Sequence, residues 1–453
     1  MTRSIRRLSI FVLLLLTLGV ACSYVRQTIL LDSEPASAVP EDIDAEFDHF
    51  WEVYNLIHRD YFDQPVDDVT LANGAVESMV AHLELTDTDL GNSLLNQANA
   101  DEPFDAMWAA WNILHAEYDG DIDDVLLVDD AIQGMIDALG DDHSAYLDPN
   151  FQESTQDAFQ GEIEGIGAEV EEVDGDIRIV SPFEGSPAEN AGLRTGDILR
   201  EANGEVLTGL DVFDAARIVR GPKGSTVTLL VERNGETFTV DIVRDTIKIP
   251  SVRGEMLDDN IAYARLSRFG ERSTEELATL IESLLAENPD GLILDLRGNP
   301  GGLLTAAVDI GEIFLKEGVV LVERFGDGAE DVYEADGKGI PTDIPMIVLI
   351  DEGSASASEV IAGAIQDSGR APLLGVNSFG KGTVQTWRTL SNGGGIRLTI
   401  ARWLTPDERW VHGDGLTPDI VVELPEFDPE TMTEEDFVDT QLDAAIAYLL
   451  NNQ

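Results

Sequence analysis

The C-terminal half of the chain alternates short apolar runs with segments of helical periodicity. Met346 to Ile350 is an unbroken apolar run between polar and glycine-rich flanks, the mark of a buried strand. Ile261 to Leu266, Leu292 to Leu296 and Ala371 to Val376 read the same way. Between them, Ser273 to Glu287 and Leu303 to Leu315 repeat apolar residues at helical spacing, the first opened by a Ser273/Glu276 capping box. Val360, Ile361, Ala364 and Ile365 predict a third helix. Strands alternating with helices of this length imply a mainly parallel sheet, whose ligands gather at the C-terminal strand ends. Two turns fall at such ends, Arg297-Gly298-Asn299-Pro300-Gly301-Gly302 and Gly353-Ser354-Ala355-Ser356-Ala357-Ser358.

Residues 159–245 change period. Ile177 to Val180 and Val227 to Glu232 alternate like half-buried strands, and Asn234-Gly235 predicts a hairpin turn. Ser186 to Leu193 forms a short capped helix, Arg194 to Asp197 a tight turn, and Leu210 to Val219 a second helix. With Gly165-Ile166-Gly167-Ala168 ahead of them, these elements resemble a PDZ domain, a resemblance carried by SPAENAGLRTGDILREANG. Such a domain implies that the backbone N–H groups of Gly165, Ile166, Gly167 and Ala168 hold a peptide's terminal carboxylate while the peptide adds as a strand.

Upstream lies a repeat. EFDHFWEVYNLIHRDYFD from Glu46 matches PFDAMWAAWNILHAEYDG from Pro103, pairing Phe47 with Phe104, Trp51 with Trp108, Ile57 with Leu114 and Tyr61 with Tyr118. LANGAVESMVAHL and LVDDAIQGMIDAL match after a one-residue slip. Each unit predicts two amphipathic helices whose aromatic stripe is packing face rather than binding box.

Composition changes the picture in three ways. A formal net charge of −59 over 453 residues repels nucleic acid and anionic membrane, which excludes both as partners. Arg3, Arg6 and Arg7 precede the apolar run Leu8 to Val20, the layout of an export signal. The single cysteine, Cys22, permits no internal disulfide and stands where a lipoprotein cleavage site would place it. Lipid attachment at Cys22, an uncleaved anchor over Leu8 to Val25, and a cleaved signal stay open, and each exports the chain. Third, only five lysines occur, at 223, 248, 316, 338 and 381. Lys381 stands between Gly380 and Gly382 in a chain that otherwise uses arginine. A lysine can give up its proton and an arginine cannot.

A serine lifted to a strand-to-helix elbow, beside the free N–H groups of a helix start, and a lysine on a glycine-flanked loop together predict Ser/Lys nucleophilic catalysis. Ser354, Ser356 and Ser358 compete on the elbow, with Gly301, Gly302 and Ala357 offering N–H groups to an oxyanion. An ordinary lysine, with a pKa of about 10.4, is protonated at neutral pH; the base role demands surroundings that disfavour the ammonium, and Phe379 and Val384 are available to dry them. Three other readings compete. Gly375 to Gly382 approaches a phosphate-binding loop but lacks the hydroxyl residue after lysine and leads into a strand. His412, or His143 in its acidic turn, would serve a Ser-His hydrolase. A catalytically silent PDZ scaffold binding C-terminal peptides is the last.

In order, Leu296-Arg297-Gly298-Asn299-Pro300-Gly301-Gly302, Gly353-Ser354-Ala355-Ser356-Ala357-Ser358-Glu359 and Phe379-Gly380-Lys381-Gly382 behind a PDZ-like domain resemble the carboxy-terminal processing peptidases, or tail-specific proteases. The resemblance covers about residues 100–450 and leaves the first helical repeat as an addition. It implies Ser356 as nucleophile, Lys381 as general base and Gln385 as the residue orienting the lysine. It implies no cofactor, neither metal nor nucleotide. Glu359 and Asp367 match acidic positions of the family, against plain helix capping and surface solvation; Glu359 is expected to point away from the ammonium. Arg220, where a PDZ helix meets its next strand, is a candidate regulatory contact.

The expected fold class is a multidomain α+β chain: a helical N-terminal region, a PDZ-like small β-barrel with two helices, and an α/β catalytic core with a mainly parallel sheet. Its expected parts are a signal peptide or anchor (1–25), a linker (26–45), an extra helical repeat (46–100), an N-terminal helical domain (101–158), a PDZ domain (159–245), the peptidase core (246–425) and a C-terminal helical segment (426–453). The expected function is an exported serine endopeptidase cutting upstream of a free C-terminal tail. Its partners are protein or peptide substrates with such tails, with a homodimer or an adaptor on the helical region.

Overall fold

The structure is a computed structural model, described for residues 47–83, 85, 102–118, 120–149, 151–152, 159, 161–173, 175–183, 185–210, 212–337, 340, 343–425 and 438–451. The expected signal or anchor with Cys22, the linker, and parts of the first repeat and of the C-terminal segment lie outside these residues. The chain forms two compact units. To the first belong the described residues up to Asn55 and from Pro65 to Asp142; to the second, Leu56–Gln64 and His143 onward. Among the described residues no helix is long and apolar enough to cross a membrane.

The helical region consists of α1 (Asp48–Asp60), α2 (Asp68–His82), α3 (Pro103–Glu117) and α4 (Asp124–Asp137). Both repeat units carry their own cap: the Asp67 carboxylate accepts from the Thr70 N–H, and Asp123 from Val125 and Leu126. The aromatic stripes pack on one another. Phe47 meets Trp108 at 4.6 Å, and Phe50 meets Phe104 edge-on at 6.0 Å. Gly74 and Gly134 let α2 and α4 touch backbone to backbone; a Cβ at either would overlap the other's carbonyl oxygen. The stripe is core.

After β1 (Ala145–Leu147), the PDZ region runs through β2 (Glu162–Gly165), β3 (Ala168–Val173), β4 (Asp176–Pro182), α5 (Pro187–Asn190), β5 (Ile198–Ala202), β6 (Glu205–Val206), α6 (Val212–Val219), β7 (Thr226–Arg233), β8 (Glu236–Val243) and β9 (Asp245–Lys248). Its main sheet orders β3-β4-β5-β7-β8, while β2 pairs with β9. Strand β3 is an edge, hydrogen-bonded on one side only. Ser186 caps α5 through the Glu189 N–H, and Asn234-Gly235, both at positive φ, make the β7–β8 hairpin turn.

The core comprises β10 (Val252–Met256), β11 (Ile261–Leu266), α7 (Ser273–Leu285), β12 (Gly291–Asp295), α8 (Leu304–Phe314), β13 (Gly318–Phe325), β14 (Glu330–Ala335), β15 (Met346–Ile350), α9 (Ala357–Asp367), β16 (Leu373–Gly375), β17 (Thr383–Thr389), β18 (Gly395–Leu404), β19 (Ile420–Val421) and α10 (Thr440–Asn451). One sheet orders β10-β11-β12-β15-β16-β19 and is parallel from β11 onward, as the alternating pattern predicts. Leu292, Leu294, Val348 and Ile350 join the core that includes Ile281, Ile310 and Ile361 of α7, α8 and α9. Ile293, Ile347 and Leu349 join that of Ala445 and Leu449 of α10. Burial on both faces explains the unbroken apolar runs.

One expectation is corrected here. No Ser273/Glu276 capping box forms: the Ser273 hydroxyl accepts from Gly270 N–H and donates to Arg268 O, while the Glu276 carboxylate accepts from the Ser251 N–H. Tertiary contacts claim both side chains. In addition, β17, β18, β13, β14 and β1 make a second, antiparallel sheet that the periodicity does not announce.

Candidate active site

The serine elbow is strained. Ser356 sits at φ 54° and ψ −115° as the N-cap of α9, a region that non-glycine residues avoid. The three serines divide by environment. Ser354 is wholly buried and its hydroxyl donates to Leu296 O at 2.8 Å; Ser358, also buried, donates to Asn299 O at 2.8 Å. Their hydroxyls brace the elbow against the turn at 296–299. Ser356 alone is partly open to solvent.

That turn lies directly on the elbow. A Cβ on Gly301 would stand 2.9 Å from Ser356 Cβ and from Ala357 N, so only glycine fits, at φ 98°. Asn299, fully buried, holds the turn: its amide donates to Leu266 O at 2.8 Å, and its side-chain oxygen accepts the Gly301 N–H at 2.9 Å. The Gly301 N–H is thus engaged by Asn299 Oδ1. Among the described residues no hydrogen bond engages the N–H of Gly302 or of Ala357, and Ala357 opens α9, where the helix dipole favours negative charge.

Glu359 joins elbow and lysine loop. It is wholly buried rather than solvated. Oε2 accepts from Ser356 N at 2.8 Å and Lys381 N at 2.9 Å; Oε1 accepts from Ser378 Oγ at 2.6 Å and Gly380 N at 2.7 Å. Four neutral donors fill the carboxylate's acceptor positions. Its first-turn position caps α9 as well. Asp367, also expected at the surface, has a side chain only 4% exposed, pairs with Arg409 and accepts from Asp407 N at 2.9 Å.

Lys381 is partly buried. Gln385 donates its amide hydrogens to Thr383 Oγ1 at 2.9 Å and Thr399 Oγ1 at 3.2 Å, which leaves its carbonyl oxygen as the available acceptor. Val384 packs against the core, but Phe379 is 58% exposed and does not dry the loop. His412 stacks on Trp410 at 5.0 Å and meets His143 edge-on at 6.0 Å. The residues after Gly382 form β17, not a helix, so no phosphate loop exists here.

Behind the turn, Arg297 forks both ways. It donates to Asp295 at 3.0 and 2.8 Å and to Asp439 at 2.8 and 2.9 Å. Burial opposes the charge of Arg297, yet the hydrogen bonds it donates to the two aspartates hold its pKa above the ordinary value. Burial likewise opposes the Asp439 charge, and hydrogen bonds from Arg297 still keep that carboxyl below its ordinary range. Burial and the Asp295 charge push Tyr263 up to about 12.

Within the PDZ region, Gly165 to Ala168 line an apolar groove of about 260 Å³ together with Val170, Val212, Ala216 and Val219. Gly167, at φ 74°, faces Ser186 so closely that a Cβ would stand 2.6 Å from Ser186 Cβ. Exposed Arg220 belongs to the same lining, with its Cγ 3.7 Å from where a Gly165 Cβ would be.

With this geometry in view, comparison with known proteins decides the family. Residues 260–422 match the model of peptidase family S41, residues 178–233 that of a PDZ domain, and residues 84–151 that of the activating protease CtpB N-terminal domain. The chain is 40% identical over 341 residues to the carboxy-terminal processing protease CtpA of Bacillus subtilis, covering 74% of this chain and 73% of that protein. It is 40% identical to the carboxy-terminal-processing protease of Bartonella bacilliformis, covering 67% and 71%. The chain belongs to the S41 family of carboxy-terminal processing proteases. It is a serine peptidase with a helical N-terminal region, a PDZ domain and an S41 core. Among solved structures, a photosystem II D1 C-terminal processing protease is similar at 26% identity, covering 84% of this chain and 95% of that one, with a TM-score of 0.48.

Sequence reasoning missed Asn299 and Ser378 as scaffolding, the four-donor role of Glu359 and the Asp295–Arg297–Asp439 chain. Of these only Glu359, three residues after Ser356, carries a local capping signal.

Proposed function

We propose that this peptidase takes the free C-terminal tail of a protein in its PDZ groove and hydrolyses a peptide bond upstream of it with Ser356 and Lys381. The observation that carries the reading is the shared carboxylate oxygen of Glu359, which accepts the backbone N–H groups of both residues. Two loops far apart in sequence are held at one point. Ser356 Oγ attacks the scissile carbonyl while the Lys381 amine takes its proton. The N–H groups of Gly302 and Ala357 receive the developing oxyanion. The lysine then gives its proton to the leaving amine, and water resolves the acyl-enzyme through the same base. Gln385, its amide fixed by Thr383 and Thr399, turns its carbonyl oxygen toward orienting the ammonium.

The tail adds beside edge strand β3, its apolar side chains in the groove and its carboxylate at the 165–168 backbone. Arg220 at the groove lip is suited to sense that carboxylate. Export by the N-terminal apolar run, with membrane attachment through Cys22 or an uncleaved anchor, follows from residues 1–25. The helical region, with Val125 and Leu126 half exposed on α4, is suited to a homodimer or adaptor contact.

The test compares one unstructured peptide with a small apolar C-terminus as free acid and as amide, incubated with wild type, Ser356→Ala and Lys381→Ala. The expected result is cleavage of the free acid alone and two inactive variants. Binding of the free acid without cleavage would turn the reading to a PDZ scaffold.

A further inference from the structure

The lysine loop has no side chains on either flank with which to anchor itself, since Gly380 and Gly382 enclose Lys381. It is held by its backbone. Glu359 takes the Gly380 and Lys381 N–H groups. On the carbonyl side, Gly413 N–H donates to Gly380 O at 2.9 Å, and the Trp403 indole N–H donates to Lys381 O at 2.8 Å. Gly382 O accepts from Trp403 N at 3.2 Å and from the Trp410 indole N–H at 2.9 Å.

The two tryptophans are fixed differently. Trp403 is 1% exposed and locked by the core, whereas Trp410 is 41% exposed. What orients the Trp410 ring is its stacking on His412 and the Arg402 guanidinium, whose Cζ lies 4.3 Å from the ring centroid. Arg402 in turn covers Phe62, 4.5 Å from that ring's centroid. Phe62 is anchored in the catalytic unit: its N–H donates to Thr399 O at 2.9 Å, and its carbonyl abuts Gly326 so closely that a side chain there would overlap it. Thr399 also accepts from Gln385.

We infer that Phe62, two residues beyond the end of α1, positions Lys381 for catalysis through Arg402 and Trp410. The inference rests on the reading of Lys381 as general base. Phe62 lies outside all three matched family models, of which the first begins at residue 84. Phe62 lies in the Leu56–Gln64 segment of the second unit, so a residue ahead of the family pattern takes part in positioning the lysine loop. Phe62 and Arg402 touch no substrate; they set the plane of the Trp410 indole that holds Gly382 O, in the peptide that follows Lys381–Gly382. Displacement of a catalytic group by about 1 Å is enough to cost turnover on the order of 100-fold, so a loosened rather than lost indole bond predicts a smaller loss.

The full-length chain is assayed on a free-acid peptide as wild type, Phe62→Ala, Phe62→Tyr, Arg402→Gln, Arg402→Lys and Lys381→Ala. Tail affinity is measured separately on each of these in a Ser356→Ala background, and folding by circular dichroism. Phe62→Ala and Arg402→Gln are expected to lower kcat by roughly tenfold with tail affinity unchanged. Phe62→Tyr and Arg402→Lys, which keep an aromatic face and a cation, restore most of it. Wild-type kcat in both truncating variants while Lys381→Ala is inactive overturns the inference and spares the Ser/Lys reading. Wild-type turnover in Lys381→Ala removes that reading and the inference with it. Equal losses in the conservative and truncating variants assign the stack to packing alone and overturn it too. Should Phe62→Ala not fold, the part-exposed Arg402 decides through its own pair.

Discussion

The carboxylate of Glu359, itself fully buried, accepts the backbone N–H of partly buried Lys381 at 2.9 Å, across 22 residues of sequence. The same oxygen caps the elbow at Ser356. Replacing Glu359 by alanine would leave four donors facing a void, which costs about 3 kcal/mol of stability or more. Glu359→Gln keeps the volume but sets an NH2 group against N–H donors. We expect it to lower kcat at least tenfold at a tail affinity equal to wild type. Retained kcat in a folded Glu359→Gln protein would remove the strut role.

Gly301 and Ser356 are packed without room between them. Gly301→Ala must move either the turn or the elbow, because its Cβ would lie 2.7 Å from Ala355 O. Loss of more than about 100-fold in kcat is expected, since misplacement of reacting groups by an ångström has that order of effect. Tail binding, measured by fluorescence anisotropy, should not change.

The three elbow serines should separate in a thermal melt. Ser354→Ala and Ser358→Ala each delete one buried hydrogen bond, to Leu296 O and Asn299 O, which keep the backbone N–H groups of Asn299 and Ala355 as donors; the cost is about 1 kcal/mol each, visible as a lower Tm. Ser356→Ala removes a partly exposed hydroxyl and should abolish turnover with Tm unchanged. An active Ser356→Ala protein would refute the nucleophile assignment.

Asp439 makes stability depend on pH. Its folded carboxyl lies below the ordinary value through Arg297, so the contribution is full above the unfolded pKa of about 4 and is lost as pH falls through the folded one. The Tm of wild type should drop below about pH 4 more steeply than that of Asp439→Asn. Parallel curves would deny the linkage.

At the groove, Arg220→Ala should weaken binding of the free-acid tail severalfold and leave that of the amide unchanged. Equal affinities for free acid in the two proteins would exclude a carboxylate-sensing role.

Local pattern alone is enough to read the order of the core's parallel strands and their helices. Met346–Ile350 was legible because a strand buried on both faces must be apolar throughout. The Ser186 cap and the Asn234-Gly235 turn were legible because their hydrogen bonds and φ angles depend on neighbours in sequence. Contacts that join distant segments leave no such mark: Arg297 to Asp439, Phe62 to Thr399, Arg397 to His143 O. The Ser273/Glu276 pair shows the limit from the other side, a correct local pattern whose side chains found better partners elsewhere. Local spacing fixes contacts within a turn or a helix. Which buried donor meets which acceptor across the fold is set by how the layers pack, and packing leaves no period in the chain.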